Sequence, residues 1–517
     1  MVLERLSVLA SISAVFTALV GYFVIRCIYD LFFHPLRKFP GPKLAAIGSF
    51  YEFYYDVVKD GKYLWEIKRM HQKYGPIIRI NSKSLHIHDP EYYSTVYAGG
   101  GRKVNKEISS VAGYTFPQSS LSTIDHDLHR RRRAVIGAYF SQRAIMDMEP
   151  FINERLDTLC SSLEKTIGRG VHADLTWATA AFTADVILYH FYGSHPNFLD
   201  NKDFKYDLKD ALTGLFDFYH LTRFLPFPPT TIKNLPLWIL RLLDRRLLLA
   251  VEGRNNNKKM ILSYLNSTNH TKEETKMRSR SVIVSALTDS SVPAKERTLD
   301  RLLDEGETII FAGMDTSSRV ICFAMFHLLN NKRLLLRLRQ ELDSRKKSAD
   351  QWTTAELKAL PYMEGVVQEG LRLSYGLVVR VPRISTQEPL QYKGYTIPPG
   401  TPVSLSSYLM HNDPSVFPNP HIFDPERWIK ASQEGINLDK YMLFEKLWLM
   451  DQLPPSLAYA QIYLGIAAIA SRLDMELFDT TQQDIEVYHA RGPAYPKEGP
   501  GSVKVKVTGV CEAKHLI

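Results

Sequence analysis

The most apolar stretch of the chain comes first: Leu6 to Ile25 is a 20-residue run without a charge, bounded by Arg5 and Arg26. At ~1.5 Å per residue such a helix crosses a ~30 Å hydrocarbon layer, so residues 1–30 are predicted to form a membrane anchor. A cleaved signal peptide has a shorter apolar core and ends on small residues, whereas Tyr29, Asp30 and aromatic residues follow here. The prolines of His34-Pro35-Leu36-Arg37-Lys38-Phe39-Pro40-Gly41-Pro42 fix φ and forbid helix continuation, which predicts a stiff elbow over residues 31–45. Beyond it, Leu302 to Leu329 and Thr354 to Leu373 carry helical periodicity, and Ile77 to Ile87 alternates apolar and polar residues as a strand does. Gly394-Tyr395-Thr396-Ile397-Pro398-Pro399-Gly400 reads as a strand ending in a tight turn. Asn255 to Lys259 and Ser267 to Lys276 read as exposed loops. No composition shift divides residues 46–517, so they are expected to form one domain, mostly α with small β-sheets.

Composition narrows the function classes. Hydrophobic residues make up 45% and charged residues 23% of the chain, enough to bury a large core, which excludes disorder. The formal charge of +9 comes without a basic stripe interleaved with stacking aromatics, so no nucleic-acid partner is predicted. A basic face for an acidic protein or an anionic membrane surface fits better. Arg37, Lys38 and Lys43 follow the apolar run while Arg5 is offset by Glu4, which by the positive-inside rule places the large C-terminal part in the cytosol. The sequons at Asn266 and Asn269 would then be idle. Cys27, Cys160, Cys322 and Cys511 have no spacing that suits zinc or a disulfide framework. Nor do His86, His88, His126 and His129 stand at metal-site spacing from a carboxylate or cysteine.

Four groups of residues carry candidate chemistry. Ala312-Gly313-Met314-Asp315-Thr316 sets an acid and a hydroxyl beside a glycine inside a long helix, where glycine costs about 1 kcal/mol relative to alanine. Alone, this is equally a helix with a chance glycine. Glu369-Gly370-Leu371-Arg372 places opposite charges on one helical face, which alone is an ordinary ion pair. In Phe423-Asp424-Pro425-Glu426-Arg427-Trp428, preceded by the turn-rich His411-Asn412-Asp413-Pro414 and Phe417-Pro418-Asn419-Pro420, the spacing predicts a rigid loop presenting an arginine. Asp125-His126-Asp127-Leu128-His129-Arg130-Arg131-Arg132-Arg133 reads by itself as a solvated charge run.

Together and in this order, these motifs resemble the cytochrome P-450 superfamily of haem-thiolate monooxygenases from the proline elbow almost to the C-terminus. Within it, the chain looks most like fungal microsomal enzymes of secondary metabolism, the trichodiene-oxygenase-like group. The resemblance implies haem as cofactor and NADPH-cytochrome P-450 reductase as electron donor. It further implies an endoplasmic-reticulum membrane location and an apolar small-molecule substrate, a terpenoid or polyketide intermediate. It assigns proton delivery to Asp315 and Thr316, and a structural triad to Glu369, Arg372 and Arg427. One haem propionate falls to His129 and Arg133, the other to Arg383. The family's F-x-x-G-x-R-x-C-x-G signature, whose cysteine binds iron, should lie between Asn437-Leu438-Asp439-Lys440-Tyr441 and the helix beginning near Leu457. Met442 to Ser456 instead reads MLFEKLWLMDQLPPS, without Gly, Arg or Cys. The ligand position falls near Gln452, and the sulfur nearby, Met450, is a neutral thioether. No residue is therefore expected to ligate a metal. Two readings follow: a monooxygenase whose sequence is altered in residues 442–456 by a sequence or splicing error, or an inactive or haem-free protein on the same fold.

Overall fold

The structure is a computed structural model that describes residues 2–97, 102–112, 116–225, 235–266, 281–345, 351–442, 456–499 and 501–511. The chain divides into two units: Met1–Glu107 with Arg380–Ser406, and Ile108–Val379 with Ser407–Ile517.

The first unit begins with helix α1, Val2–Ile28. The stretch Ala10–Phe33 has a mean hydropathy of 1.8, is not buried, and is long and apolar enough to cross a membrane. It runs past Ile25, where the charge-free run stops. Arg26 and Asp30 stand one turn apart there and pair, Nε donating to Oδ2 at 3.2 Å. Pro35 then ends the helix. A π-helical turn, Tyr29–Phe33, gives way to extended His34, whose ring nitrogen accepts from the Leu36 amide. A five-stranded sheet follows in the order Ile77–Arg79, Leu85–Ile87, Pro402–Ser404, Arg383–Ser385 and Val104–Lys106. Its single parallel pairing joins Leu85–Ile87 to Pro402–Ser404. The run Ile77 to Ile87 is thus a hairpin and not one strand: Ile77 faces Ile87 and Arg79 faces Leu85. Asn81 turns the chain by accepting from the Lys83 and Ser84 amides. All six strand residues are buried, so the alternation in sequence does not mark an exposed face. Tyr395–Ile397 pairs with Leu390–Tyr392 through a turn at Lys393 and Gly394, both at positive φ.

The second unit is mostly helical. The helices that position the site are α2 (His126–Gly137), α3 (Leu175–Tyr192), α4 (Arg245–Asn266), α5 (Leu299–Asn330), α6 (Pro361–Ser374), α7 (Glu426–Gln433) and α8 (Ser456–Arg472). The axis of the unit is α5, whose Thr298 caps it by accepting from the Arg301 amide. It packs against α3, α6 and α8. Gly306 permits the closest of these approaches, since a Cβ there would lie 2.4 Å from the Phe191 ring.

Three further sequence expectations change. The periodic stretch Thr354 to Leu373 is two helices, Thr354–Lys358 and α6, because Pro361 lacks an N–H and can only begin a new helix. Asn255 to Lys259 lies inside α4: their polar side chains mark its outer turns, while Arg254 ties the helix to α5 at 2.9 Å from Asp304. Arg427 sits in the first turn of α7 and not on a loop, since only the residues up to Pro425 are irregular. The expected loop at Ser267 to Lys276 lies outside the described residues.

Candidate functional site

Most of α5 is buried, but Ala312, Gly313, Asp315, Thr316 and Arg319 keep partial exposure at its centre. At 100° per residue these five fall on one side of the helix. Phe311, one residue before Ala312, meets Phe216 with ring centroids 4.5 Å apart and Phe116 at 6.1 Å, an aromatic cluster on this stretch of α5. The Thr316 hydroxyl donates back to the Ala312 carbonyl at 2.5 Å. Two cations surround Asp315. The Lys209 ammonium donates to the Thr176 carbonyl at 3.0 Å and lies 4.9 Å over the Trp177 ring. Arg319 lies 4.8 Å over Phe323, and its buried Nε finds no hydrogen-bond acceptor among the described residues. Burial lowers the pKa of both cations, with Asp315 the foremost opposing influence. The arrangement is an acid, a hydroxyl and two desolvated cations beside an aromatic cluster, groups that can hold and pass protons. Lys209 and Arg319 were not legible as site residues; the one available sign was Arg319, a charge one turn after Asp315 in an apolar helix.

Glu369, Arg372 and Arg427 come together. Arg372 donates to both Glu369 oxygens, at 2.8 and 2.7 Å, and its remaining donors reach the carbonyls of His411, Pro420 and Ile422. Arg427 Nε lies 3.1 Å from Glu369 Oε1 as an ion pair, and Nη1 donates to the Pro418 carbonyl. The Trp428 indole and the Asp424 amide also donate to Glu369, at 2.9 and 3.0 Å. All of this is buried, so the carboxylate clamps the turn-rich 411–425 segment to α6.

His129 and Arg133 are half-buried on α2, whose start is capped by Asp125, accepting from the Leu128 amide at 2.8 Å. Sequence reasoning missed how α2 is held. Arg132 pairs with Glu296 at 3.2 Å and donates to Thr123, Arg301 pairs with Glu296 at 2.9 Å and with Glu305 at 2.7 Å, and Glu305 accepts from the Ser120 amide. The spacing of Arg301 and Glu305, one turn apart, was the available signal. Arg383 belongs to the first unit, buried, 5.6 Å over the Tyr97 ring.

The haem implied by the resemblance needs cationic partners for its propionate carboxylates and a thiolate for its iron. Half-buried Arg133 and His129 and buried Arg383 are chemically suited to propionates. The thiolate has no source among the described residues. Cys322 sits between α3 and α5, its sulfur 3.1 Å from the Thr179 hydroxyl, and burial pushes its pKa up to about 11. Burial likewise raises Cys160 to about 12 and Cys511 to about 11, the latter 3.3 Å from Asp474. Cys27 belongs to α1. A reactive or metal-bound cysteine needs the opposite environment. Gln452 lies outside the described residues, and no cysteine occurs between Met442 and Ser456. Among the described residues the side-chain chemistry for propionates is therefore present, and a thiolate for iron is not.

A cytochrome P-450 family profile matches residues 40–444, ending inside the cysteine-free stretch. The chain is 64% identical over 514 residues to cytochrome P-450 monooxygenase pbrB of Penicillium brasilianum, covering 99% of this chain and 100% of that protein. It is 62% identical, with the same coverage, to cytochrome P-450 monooxygenase astB of Aspergillus terreus. Cytochrome P-450 monooxygenase TRI4 of Fusarium sporotrichioides is 44% identical over 96% of this chain and 94% of its own length. With its mostly helical fold and small sheets, the chain belongs to the cytochrome P-450 family of haem monooxygenases.

Proposed function

We propose that this chain is a microsomal monooxygenase of fungal secondary metabolism, placing one atom of O2 into an apolar terpenoid or polyketide intermediate. The observation that carries this reading is identity above 60% to two fungal monooxygenases across 99% of the chain. The aromatic cluster at Phe311 suits an apolar substrate, and Asp315 with Thr316 serves proton delivery beside it. Glu369, Arg372 and Arg427 hold the fold around the site, and His129, Arg133 and Arg383 serve the propionates. Residues 1–30 anchor the protein in the endoplasmic reticulum, residues 31–45 form the elbow, and 46–517 act as one cytosolic domain. NADPH-cytochrome P-450 reductase supplies electrons, and Arg130 and Arg131, exposed on α2, suit an acidic partner.

A second reading, a haem-free protein on the same fold, is favoured by one observation: no cysteine of the chain is placed or spaced to bind iron. The transcript across Tyr441 to Leu457 and the carbon monoxide spectrum of the reduced protein separate the two. The chain with Met442 to Ser456 as printed is expected to show no red-shifted carbonyl band, since that band reports a thiolate opposite the gas. Replacing that stretch with a glycine-bearing, cysteine-bearing family loop is expected to restore the band. Gln452→Cys alone is expected to do much less, because the bulge needs glycine's backbone freedom. A clear band from the unmodified chain would overturn this account of the ligand. A repaired chain that folds and still binds no haem would establish the haem-free reading.

A further inference from the structure

An arginine keeps its proton even in a protein interior, so folding desolvates a permanent cation at Arg319. Burial is the chief influence on it. Its Nε finds no acceptor among the described residues, and its guanidinium rests 4.8 Å over the Phe323 ring, a face that attracts a cation without taking up its directed N–H groups. Arg372 on α6 shows what another buried arginine of this chain receives: both oxygens of Glu369 and three backbone carbonyls. Asp315, one turn before Arg319, is the foremost influence favouring its charge, yet Asp315 does not accept from Nε.

Two further donors gather on this flank of α5. Lys209, 7% exposed, is held to the Thr176 carbonyl at 3.0 Å. One turn on, the Thr179 hydroxyl lies 3.1 Å from Cys322, which sets Lys209 beside the stretch of α5 that carries Asp315 and Arg319. Each cation lies within the other's field as a like charge, or shares Asp315 as its counterpart. The Tyr495 phenol feels both Asp315 and Arg319. Tyr495 comes from the hairpin of His489–Ala490 with Ala494–Tyr495, and Gly492 at its turn approaches Phe216 so closely that a Cβ would stand 2.8 Å from the ring. Phe216 in turn meets Phe311, which precedes Arg319 by about two turns, ~12 Å along α5. The aromatic cluster and the cations are thus the two ends of one flank, with Asp315 and Thr316 between them.

The charges do not balance. Two cations face one carboxylate, since Asp174, which also acts on Lys209, ranks behind Asp315 and already accepts from the Thr176 amide and the Ser502 hydroxyl. Burial keeps the Cys322 thiol protonated. A single positive charge in excess matches a monoanion, and the planar fork of an arginine matches a carboxylate.

We propose that Arg319, with Lys209 and Tyr495, binds a carboxylate borne by the substrate, while the Phe311, Phe216 and Phe116 cluster receives the apolar body attached to it. The substrate class rests on the monooxygenase reading above; the anion site rests on these side chains alone. Pairing at Arg319 fixes which part of the apolar body lies beside Asp315 and Thr316, which makes Arg319 the residue that sets regiochemistry.

Equilibrium dialysis of the full chain in phosphatidylcholine nanodiscs tests this. Farnesoate and farnesol are the probes, alike in their apolar chain and different in the terminal group, and empty nanodiscs subtract partition into lipid. Farnesoate is expected to bind several-fold more tightly than farnesol. Arg319→Gln is expected to abolish that preference and leave farnesol binding unchanged, and Lys209→Met to reduce it. Equal binding of the two probes by the parent chain, or a preference that survives Arg319→Gln, would overturn the proposal. Unfolding gives a separate readout. Removing a buried cation that lacks its partner is expected to keep or raise the denaturant midpoint without ligand, and farnesoate is expected to raise the midpoint of the parent more than that of the variant. A lowered midpoint with the preference retained would make Arg319 only the counter-ion of Asp315 and overturn the site. Dialysis reads binding with or without haem, so the printed chain and the chain with the family loop are both measured. A farnesoate preference without a carbonyl band in the repaired chain supports the anion site and removes the monooxygenase reading, and a band without the preference does the reverse.

Discussion

Among single residues, Glu369 holds the most consequential position. It is fully buried and receives Arg372, Arg427, the Trp428 indole and the Asp424 amide. The opposite charges of Glu369 and Arg372 were legible three positions apart, but the third partner, Arg427, 58 residues after Glu369, was known only through the family resemblance. Glu369→Ala would leave two guanidinium groups buried without their carboxylate, a loss of about 3–5 kcal/mol. Trp428→Phe removes one hydrogen bond and puts a smaller ring in the buried site, for about 1–2 kcal/mol. Denaturant midpoints are expected to fall in that order, and a Glu369→Ala protein as stable as the parent would show that the cluster does not hold the fold. Arg372→Lys is expected to resemble the larger loss, because a lysine cannot serve two carboxylate oxygens and three carbonyls at once.

Elements in this fold are positioned by small residues as much as by apolar stripes. A Cβ on Gly365 of α6 would stand 2.4 Å from the Pro425 carbonyl oxygen, a backbone atom that cannot rotate away. Gly253, in the interior of α4, has nothing within 4 Å of the same position. Alanine favours both helices by up to about 1 kcal/mol over glycine. Gly253→Ala is therefore expected to raise the unfolding midpoint, whereas Gly365→Ala is expected to lower it despite the better propensity. Equal effects at the two sites would refute the close approach of α6 to the segment before α7. Sequence shows a glycine in a helical pattern in both cases, and only the neighbour across the gap tells them apart.

At the scale of the whole molecule, stability should depend on pH through histidines that folding keeps neutral. Burial lowers His71, His190 and His327 to about 4 and His411 to about 3, with Arg372 adding to the effect at the last two. Above about 6.5 neither state binds a proton at these rings. Below it the unfolded chain takes up protons that the fold refuses, and each ring then costs about 1.4 kcal/mol per pH unit until its folded pKa is reached. Asp185 acts the other way: burial raises it to about 6, so it adds stability as pH falls from there towards 4. Four rings outweigh one carboxyl. Denaturant midpoints are expected to decline steadily from pH 7 to pH 4, and a flat profile between 7 and 5 would show that these histidines are not held neutral.

Local pattern alone determined the long apolar helix at the start of the chain, the proline break after it, the long helix around Asp315 and Thr316, and the absence of any cysteine between Met442 and Ser456. Each is written within a window no longer than one element, where helical period, proline chemistry and residue identity act directly. Tertiary structure decided which arginine of the Arg130 to Arg133 run is tied to Glu296, and that Cys322 is spent between two helices. It also decided that Lys209 and Arg319 gather around Asp315, and that Glu52 and Asp56 turn inward to Arg380 and leave Phe50, Tyr54 and Val58 outside. Those outcomes depend on partners far away in sequence, as Arg380 is from Glu52, and a carboxylate's direction follows the nearest desolvated cation and not its own neighbours along the chain.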